Sequence, residues 1–130
     1  MNELKVQTTQ QAQFVDITSL VREQIRRAGI AEGVCVLHCP HTTAGLTLNE
    51  HTDPAVATDM LHALDQLVSE KHAWEHLEGN SPAHLKASLM GASVQLLVHE
   101  GELALGTWQG VFLSEFDGPR SRKVWVRFVA

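Results

Sequence analysis

Residues 93–130 read SVQLLVHEGELALGTWQGVFLSEFDGPRSRKVWVRFVA, and the patterning of this stretch decides the fold class. Val94, Leu96 and Val98 alternate with Gln95, Leu97 and His99, the two-residue period of a strand that turns one face inward. Glu100-Gly101-Glu102 turns the chain. Gln109–Phe116 and Lys123–Val129 follow as strands, joined by the turn Asp117-Gly118-Pro119-Arg120. Upstream, the period changes. Ser81-Pro82 opens a helix that Gly91 closes, and Asp53-Pro54 opens another, an N-cap followed by proline at the first helical position. Val56, Met60, Leu64, Leu67 and Val68 form the apolar stripe of that second helix. Residues 70–80 are polar and end in Glu78-Gly79-Asn80, a loop.

Further back, Leu46 and Leu48 share one face of a strand while Thr47 and Asn49 share the other. Gly33–His38 is short, apolar and therefore expected to be central and buried. Ile17, Leu20, Val21, Ile25 and Ala28 mark one helical face, with Asp16 or Thr18 as N-cap and Gly29 as the stop. Residues 3–14 and the following Val15 carry β-favouring side chains and suggest one strand with imperfect alternation. Helices cluster mid-chain and strands lie at both ends, so the class is α+β: a single domain over 1–130, with mixed or antiparallel sheets.

Composition narrows the function. The 130 residues carry a formal net charge of −5, which argues against a protein that coats nucleic acid through a basic face. No run of 18 apolar residues exists, and Met1–Lys5 lacks the basic-then-apolar pattern of a signal peptide, so the expected location is the cytosol. Tyrosine is absent and histidine occurs 8 times, a density that directs attention to metal or acid–base chemistry. Cys35 and Cys39 are four residues apart on a strand, roughly 13 Å. A disulfide needs Cα atoms within about 7 Å. They read as reduced core thiols, and no second cysteine pair completes a zinc site.

Several residues have the chemistry of a site. His84 falls in the first turn of the 82–90 helix, where the positive end of the dipole disfavours imidazolium. Ser81 and Ser88 share its face, and Leu85 and Leu89 define the face expected to be buried. The same helix end can hold a phosphate on its N–H groups. A helix-terminal histidine of no consequence is the plainer alternative. His72-Ala73-Trp74-Glu75-His76 has the spacing of inverted zinc peptidases. Poor amphipathicity and the nearby Gly79-Asn80 speak against it, which leaves His76 as a partner for His84 across the loop. His41 sits at a strand-to-loop transition. Asn49-Glu50-His51-Thr52-Asp53 is a polar cluster before a helix, with capping as its plainer role. His62 and His99 read as surface or edge residues. In Gly106-Thr107-Trp108-Gln109-Gly110 the glycines permit close backbone approach, and Trp108 can face a ligand. Arg120 and Arg122 suit phosphate or carboxylate, although spacing alone favours a hairpin turn with an Asp117–Arg120 contact.

Three segments together resemble the YjbQ family. His41-Thr42-Thr43-Ala44-Gly45-Leu46-Thr47-Leu48-Asn49-Glu50 is similar to its first signature, Ala83–Gly91 to its second and Gly106–Gly110 to its third, in order and over nearly the whole chain. The resemblance implies an α+β fold, a homotrimer and a cytosolic protein. It also implies a weak, secondary thiamine-phosphate synthase activity, which joins a pyrimidine pyrophosphate to a thiazole phosphate. On that basis His84, Glu50 and Trp108 are candidate catalytic residues. Asn49, Lys86, Gln109, Arg120 and Arg122 are candidates to bind the phosphorylated substrate. His41, His76 and His84 are candidate metal ligands, for zinc before magnesium because imidazoles favour a transition metal, with magnesium as the alternative at the pyrophosphate. The rival readings are a metal-dependent hydrolase using the histidines and Glu50, a non-catalytic binder of a phosphorylated metabolite, and an assembly module.

Overall fold

A computed structural model describes residues 1–69, 72–76 and 79–130. Its elements are β1 (Asn2–Gln7), β2 (Gln13–Asp16), α1 (Thr18–Ala28), β3 (Gly33–His38), β4 (Ala44–Glu50), α2 (Pro54–Leu67), α3 (Ser81–Met90), β5 (Ser93–His99), β6 (Glu102–Ala104), β7 (Gln109–Glu115) and β8 (Ser121–Val129). They build two antiparallel sheets, one in the order β1-β8-β3-β5-β6 and one in the order β2-β7-β4. The α+β class holds, and β3 is central as its apolar run predicts.

The inner faces of both sheets meet in one core. Leu4, Leu37, Leu96, Val98, Val124 and Val126 come from the larger sheet, and Leu46, Val111 and Leu113 from the smaller. Helix α1 adds Ile17, Val21 and Ile25. Cys35 and Cys39 are free thiols in this core, as expected, and burial pushes Cys35 up to about 11. A second, smaller cluster lies on the far side of the three-stranded sheet, where Leu64 of α2 and Ala83 and Ala87 of α3 pack with Phe116. Strand β7 is therefore covered on both faces, and every one of its residues after Gln109 is buried.

Local chemistry accounts for the element ends. Asp53 caps α2 by accepting from the Ala55 N–H at 2.9 Å. Asp16 accepts from the Thr18 N–H at 2.9 Å, while Gly29 ends α1 in the left-handed conformation at φ 67°. Burial alone would raise the Asp16 carboxyl, but the Thr18 bonds and the His51 ring 3.1 Å away hold it below the usual range.

Four expectations need correction. Residues 3–14 are not one strand: the chain leaves β1 after Gln7 and re-enters as β2 in the other sheet. The interruption explains the imperfect alternation. In α2 only Leu64 is buried, and Leu67 is 76% exposed, because the helix rests on the sheet through a narrow line of contact. The face of α3 is also inverted. Leu85 and Leu89 are exposed, and Pro82, Ala83, Lys86 and Ala87 are buried. The reason is steric. A Cβ on Gly45 would lie 2.6 Å from the Gly91 carbonyl oxygen and 3.1 Å from that of Ala87, so the helix lies nearly on the strand. Only small side chains fit at such a contact. Leu20, placed on the inner face of α1, is likewise exposed.

Candidate functional site

The predicted site residues fall in four places. The first is a polar cleft of about 260 Å³ beside the N-terminal half of α3, lined by Gln10, Gln11, Asp65, Asn80, Lys86 and Asp117, among others. The α3 register turns Lys86 inward with Pro82 and Ala83, and its side chain is only 7% exposed. Its ammonium donates to Asp65 Oδ1, and Asp65 is its one partner among the described residues. An ammonium has three donors, so two of them find no acceptor among the described residues. Asn80 Nδ2 donates to Asp117 Oδ2 at 3.0 Å, and its Oδ1 is buried with no partner among the described residues. The same Asp117 oxygen accepts from the Arg120 guanidinium at 3.1 Å. The Asp117–Arg120 contact predicted for the turn is thus present, and it sets Arg120 one residue away from the cleft.

The second place is across the same helix. Trp74, His76, Ser81, His84, Leu85 and Ser88 line an open cleft of about 460 Å³. The expected pairing of His76 with His84 is found: their rings lie edge to face with centroids 5.3 Å apart. Trp74 is pinned by its Nε1, which donates to the Ser69 carbonyl at 3.1 Å. The peptidase reading of 72–76 finds no support, since the His72 ring packs on Trp74 at 4.7 Å and the segment is not helical.

The third place is the opposite end of the three-stranded sheet. Pairing of β4 with β7 sets Asn49 against Gly110 and Glu50 against Gln109. Gly110 is required there because a Cβ would meet His51 at 2.6 Å. Gln109 Oε1 accepts from the Gly106 N–H at 2.8 Å, which closes a turn with Trp108 at its tip, 61% exposed. Asn49 Oδ1 accepts from the Glu50 N–H at 2.7 Å, and Glu50 Oε2 is buried with no partner among the described residues. This end does not meet the Lys86 cleft within one chain. Strand β7 separates them, and its seven residues span roughly 20 Å. The expectation that Trp108 and Glu50 join Lys86 in one pocket of one chain is therefore corrected.

The fourth place is buried. Arg122 is not a surface guanidinium awaiting substrate. Its Nε donates to Glu115 Oε1 at 2.8 Å, one terminal nitrogen donates to Glu115 Oε2, and the same nitrogen donates to Thr43 Oγ1 at 2.8 Å. Both charged side chains are within 5% of complete burial. Alternation along β8 puts Arg122 on the core face and leaves Ser121 and Lys123 outside. Beside it, His41 Nε2 accepts from the Lys123 backbone N–H at 2.9 Å. That bond fixes the neutral tautomer with its proton on Nδ1. Burial, and then the Arg122 charge, hold His41 below the usual histidine range. His41, His76 and His84 do not assemble: among the described residues no group of three His, Cys, Asp or Glu is placed to hold a metal ion.

Asn80, Asp65 and Asp117 were missed as site residues. Asn80 read only as loop and Asp65 was given no role, and nothing in their local sequence marks their convergence. His62 and His99 are exposed, as expected.

The geometry can be set beside known proteins. The sequence profile of the family described as UPF0047 protein YjbQ-like matches residues 2–130. The UPF0047 protein YugU of Bacillus subtilis is 42% identical over 130 residues, 99% of this chain and 98% of its own length. The UPF0047 protein MJ1081 of Methanocaldococcus jannaschii is 42% identical over 125 residues, 96% of this chain and 91% of its own. A solved structure from Clostridium acetobutylicum, described as an uncharacterized conserved protein of the yjbq/upf0047 family, superposes with TM-score 0.97 at 48% identity. It covers 99% of this chain and 100% of that one. A protein of unknown function from Sulfolobus solfataricus gives TM-score 0.93 at 35% identity, with 98% and 94% covered.

Proposed function

The chain belongs to the YjbQ-like UPF0047 family, and from that premise we propose that it binds a phosphorylated small molecule in the Lys86 cleft. We further propose thiamine-phosphate synthesis as its weak, secondary activity, in the cytosol and as a homotrimer. One observation carries the binding: an almost buried ammonium on the wall of a polar cleft, with two donors that the described residues leave unmatched. Phosphate oxygens supply the missing acceptors, and Arg120 stands beside them through Asp117. The synthase reading rests on the resemblance of the three signature segments alone.

In that reaction the bond from the pyrimidine methylene carbon to oxygen breaks, and the electron pair leaves with pyrophosphate. The thiazole nitrogen lone pair then forms the new C–N bond. Lys86 and Arg120 hold and neutralise the departing phosphates. Trp108 is suited to face the pyrimidine-methyl cation, with cation–π attraction of about 0.5–2 kcal/mol. Since Trp108 and Lys86 lie at opposite ends of one sheet, this role requires the indole of a second copy. The same separation favours, for an isolated chain, the second reading: a binder without turnover.

Calorimetry with inorganic pyrophosphate tests the binding. Loss of a charge-assisted bond costs about 1.5–3 kcal/mol, or about 10- to 150-fold in affinity. Lys86→Met and Arg120→Lys are each expected to bind at least tenfold more weakly. Unchanged affinity in both removes the phosphate from this cleft. Formation of thiamine phosphate from the two substrates, followed chromatographically, separates the synthase from the binder.

A further inference from the structure

The wall of the Lys86 cleft carries acceptors as well as donors. Asn80 is the N-cap residue of α3, a position where an asparagine oxygen ordinarily accepts from the first helical turn. It makes no such bond. Its Nδ2 is turned to Asp117 instead, and its Oδ1 is buried with no partner among the described residues. The amide cannot be turned over to relieve that oxygen, because an ionised carboxylate only accepts and the nitrogen must face it. Asp117 is placed in the same way. Its side chain is only 21% exposed, and its Oδ2 accepts from both Asn80 and Arg120, whereas its Oδ1 has no partner among the described residues. Asp65, the other carboxylate of the cleft, is paired with Lys86 and is 65% exposed, so water serves its second oxygen.

A bare anion satisfies Lys86 and leaves Asn80 and Asp117 as they are. We infer that the cleft binds a phosphate ester that carries a protonated amine, with its phosphate on Lys86 and its ammonium at Asp117 Oδ1 and Asn80 Oδ1. This rests on the reading that the cleft takes a phosphorylated molecule, and it adds the second charge of that molecule. An ammonium brings several donors and a positive charge to a pinned carboxylate, where a hydroxyl brings one donor and no charge. The lining agrees, since its charged groups among the described residues are one cation and two anions. The span is short. Asn80 and Lys86 lie about 9 Å apart along the helix axis, and helical side chains lean toward the N-terminus, which carries the Lys86 ammonium back toward Asn80. A ligand a few atoms long reaches both ends, and the cleft of about 260 Å³ admits one of that size.

Calorimetry with phosphoethanolamine and with ethyl phosphate tests the inference. The two share a phosphate and a two-carbon chain and differ in the amine. At about pH 8 both phosphates are doubly ionised and the amine is protonated. Phosphoethanolamine is expected to bind at least tenfold more tightly, the worth of one charge-assisted hydrogen bond. Asp117→Asn and Asn80→Ala, each shown to be folded by circular dichroism, are expected to bring that ratio below threefold. A variant that merely disturbs the cleft weakens both ligands alike and keeps the ratio. Lys86→Met is expected to do just that, weakening both at least tenfold. Equal binding of the two ligands, with both lost in Lys86→Met, overturns this inference and leaves the phosphate reading standing. So does a tenfold preference that persists in folded Asp117→Asn and Asn80→Ala. Failure of both ligands and of pyrophosphate to bind removes the phosphate reading and this inference with it.

Discussion

Glu115 is a carboxylate without exposed surface, and its partners come from both sheets and the loop after β1. Thr8 Oγ1 donates to Oε1 at 2.7 Å, the Phe116 and Asp117 N–H groups donate to Oε2 at 3.1 Å, and Arg122 spans both oxygens. Burial by itself raises its pKa, but these donors outweigh burial and hold the carboxyl below the usual range. A lowered folded value means that its stabilisation is complete above the unfolded value of about 4.3 and is lost as pH falls through the folded one. Glu115→Gln leaves the Arg122 charge buried and uncompensated. The expected cost is about 3–5 kcal/mol by urea unfolding at pH 7, with a shallower decline in stability below pH ~4 than in the parent. Adding Arg122→Met to that variant is expected to restore part of the loss, since the glutamine oxygen still accepts from the two backbone N–H groups. A cost below about 1 kcal/mol for Glu115→Gln contradicts this account. Little of the cluster was legible beforehand. Glu115 read as one residue of a strand, and its partners stand 107 and 7 positions away, too disparate for any periodicity to reveal.

At the scale of elements, reading succeeded where one physical cause acts locally. The Asp53-Pro54 cap, the Gly29 stop and the strict alternation of Val94, Leu96 and Val98 each gave an element with nearly its observed bounds. It failed where packing decides. The 3.6-residue period of α3 marks Leu85 and Leu89 as inner, yet contact with Gly45 selects the alanine face. That inversion exposes the lone apolar Leu85 beside His84 and sends Lys86 into its cleft, so the division of the candidate site follows from one glycine. Gly45→Ala is expected to cost about 1–3 kcal/mol, because neither backbone oxygen above it can swing aside. The pyrophosphate affinity is expected to fall in the folded variant, since α3 bears Lys86. A folded Gly45→Ala with that affinity intact shows that the tight contact does not position the helix.

For the whole molecule, apolar surface remains outside the two cores. Leu97 and Val129 are more than half exposed on the larger sheet, as are Leu89 on α3 and Trp108 at the tip of its turn. Association of copies covers such surface. Light scattering at micromolar concentration is expected to give three times the 14.3 kDa of one chain, whereas a monomer there contradicts the proposed assembly. Mixing sharpens the test. If one copy's Trp108 serves another's Lys86, co-refolded Trp108→Ala and Lys86→Met chains are expected to recover synthase activity that neither has alone, and no recovery denies the shared site. The family's class and single-chain fold were legible from three short segments, but the division of their residues between two ends of a sheet was not. That division depends on strand register, which the segments do not encode.

Strand order in the larger sheet also bears on how the chain comes into being. β1 bonds only to β8, and β3 bonds to β8 on one side. Of the described strands, β1 is made before the others, and its one partner among them is the last to be made. Until then it must wait unpaired while α1 and the smaller sheet take shape. Closure of this sheet is a late event that joins the earliest and the latest of these strands, and a nascent chain halted before residue 121 holds the sheet open with its non-local pairing still to come.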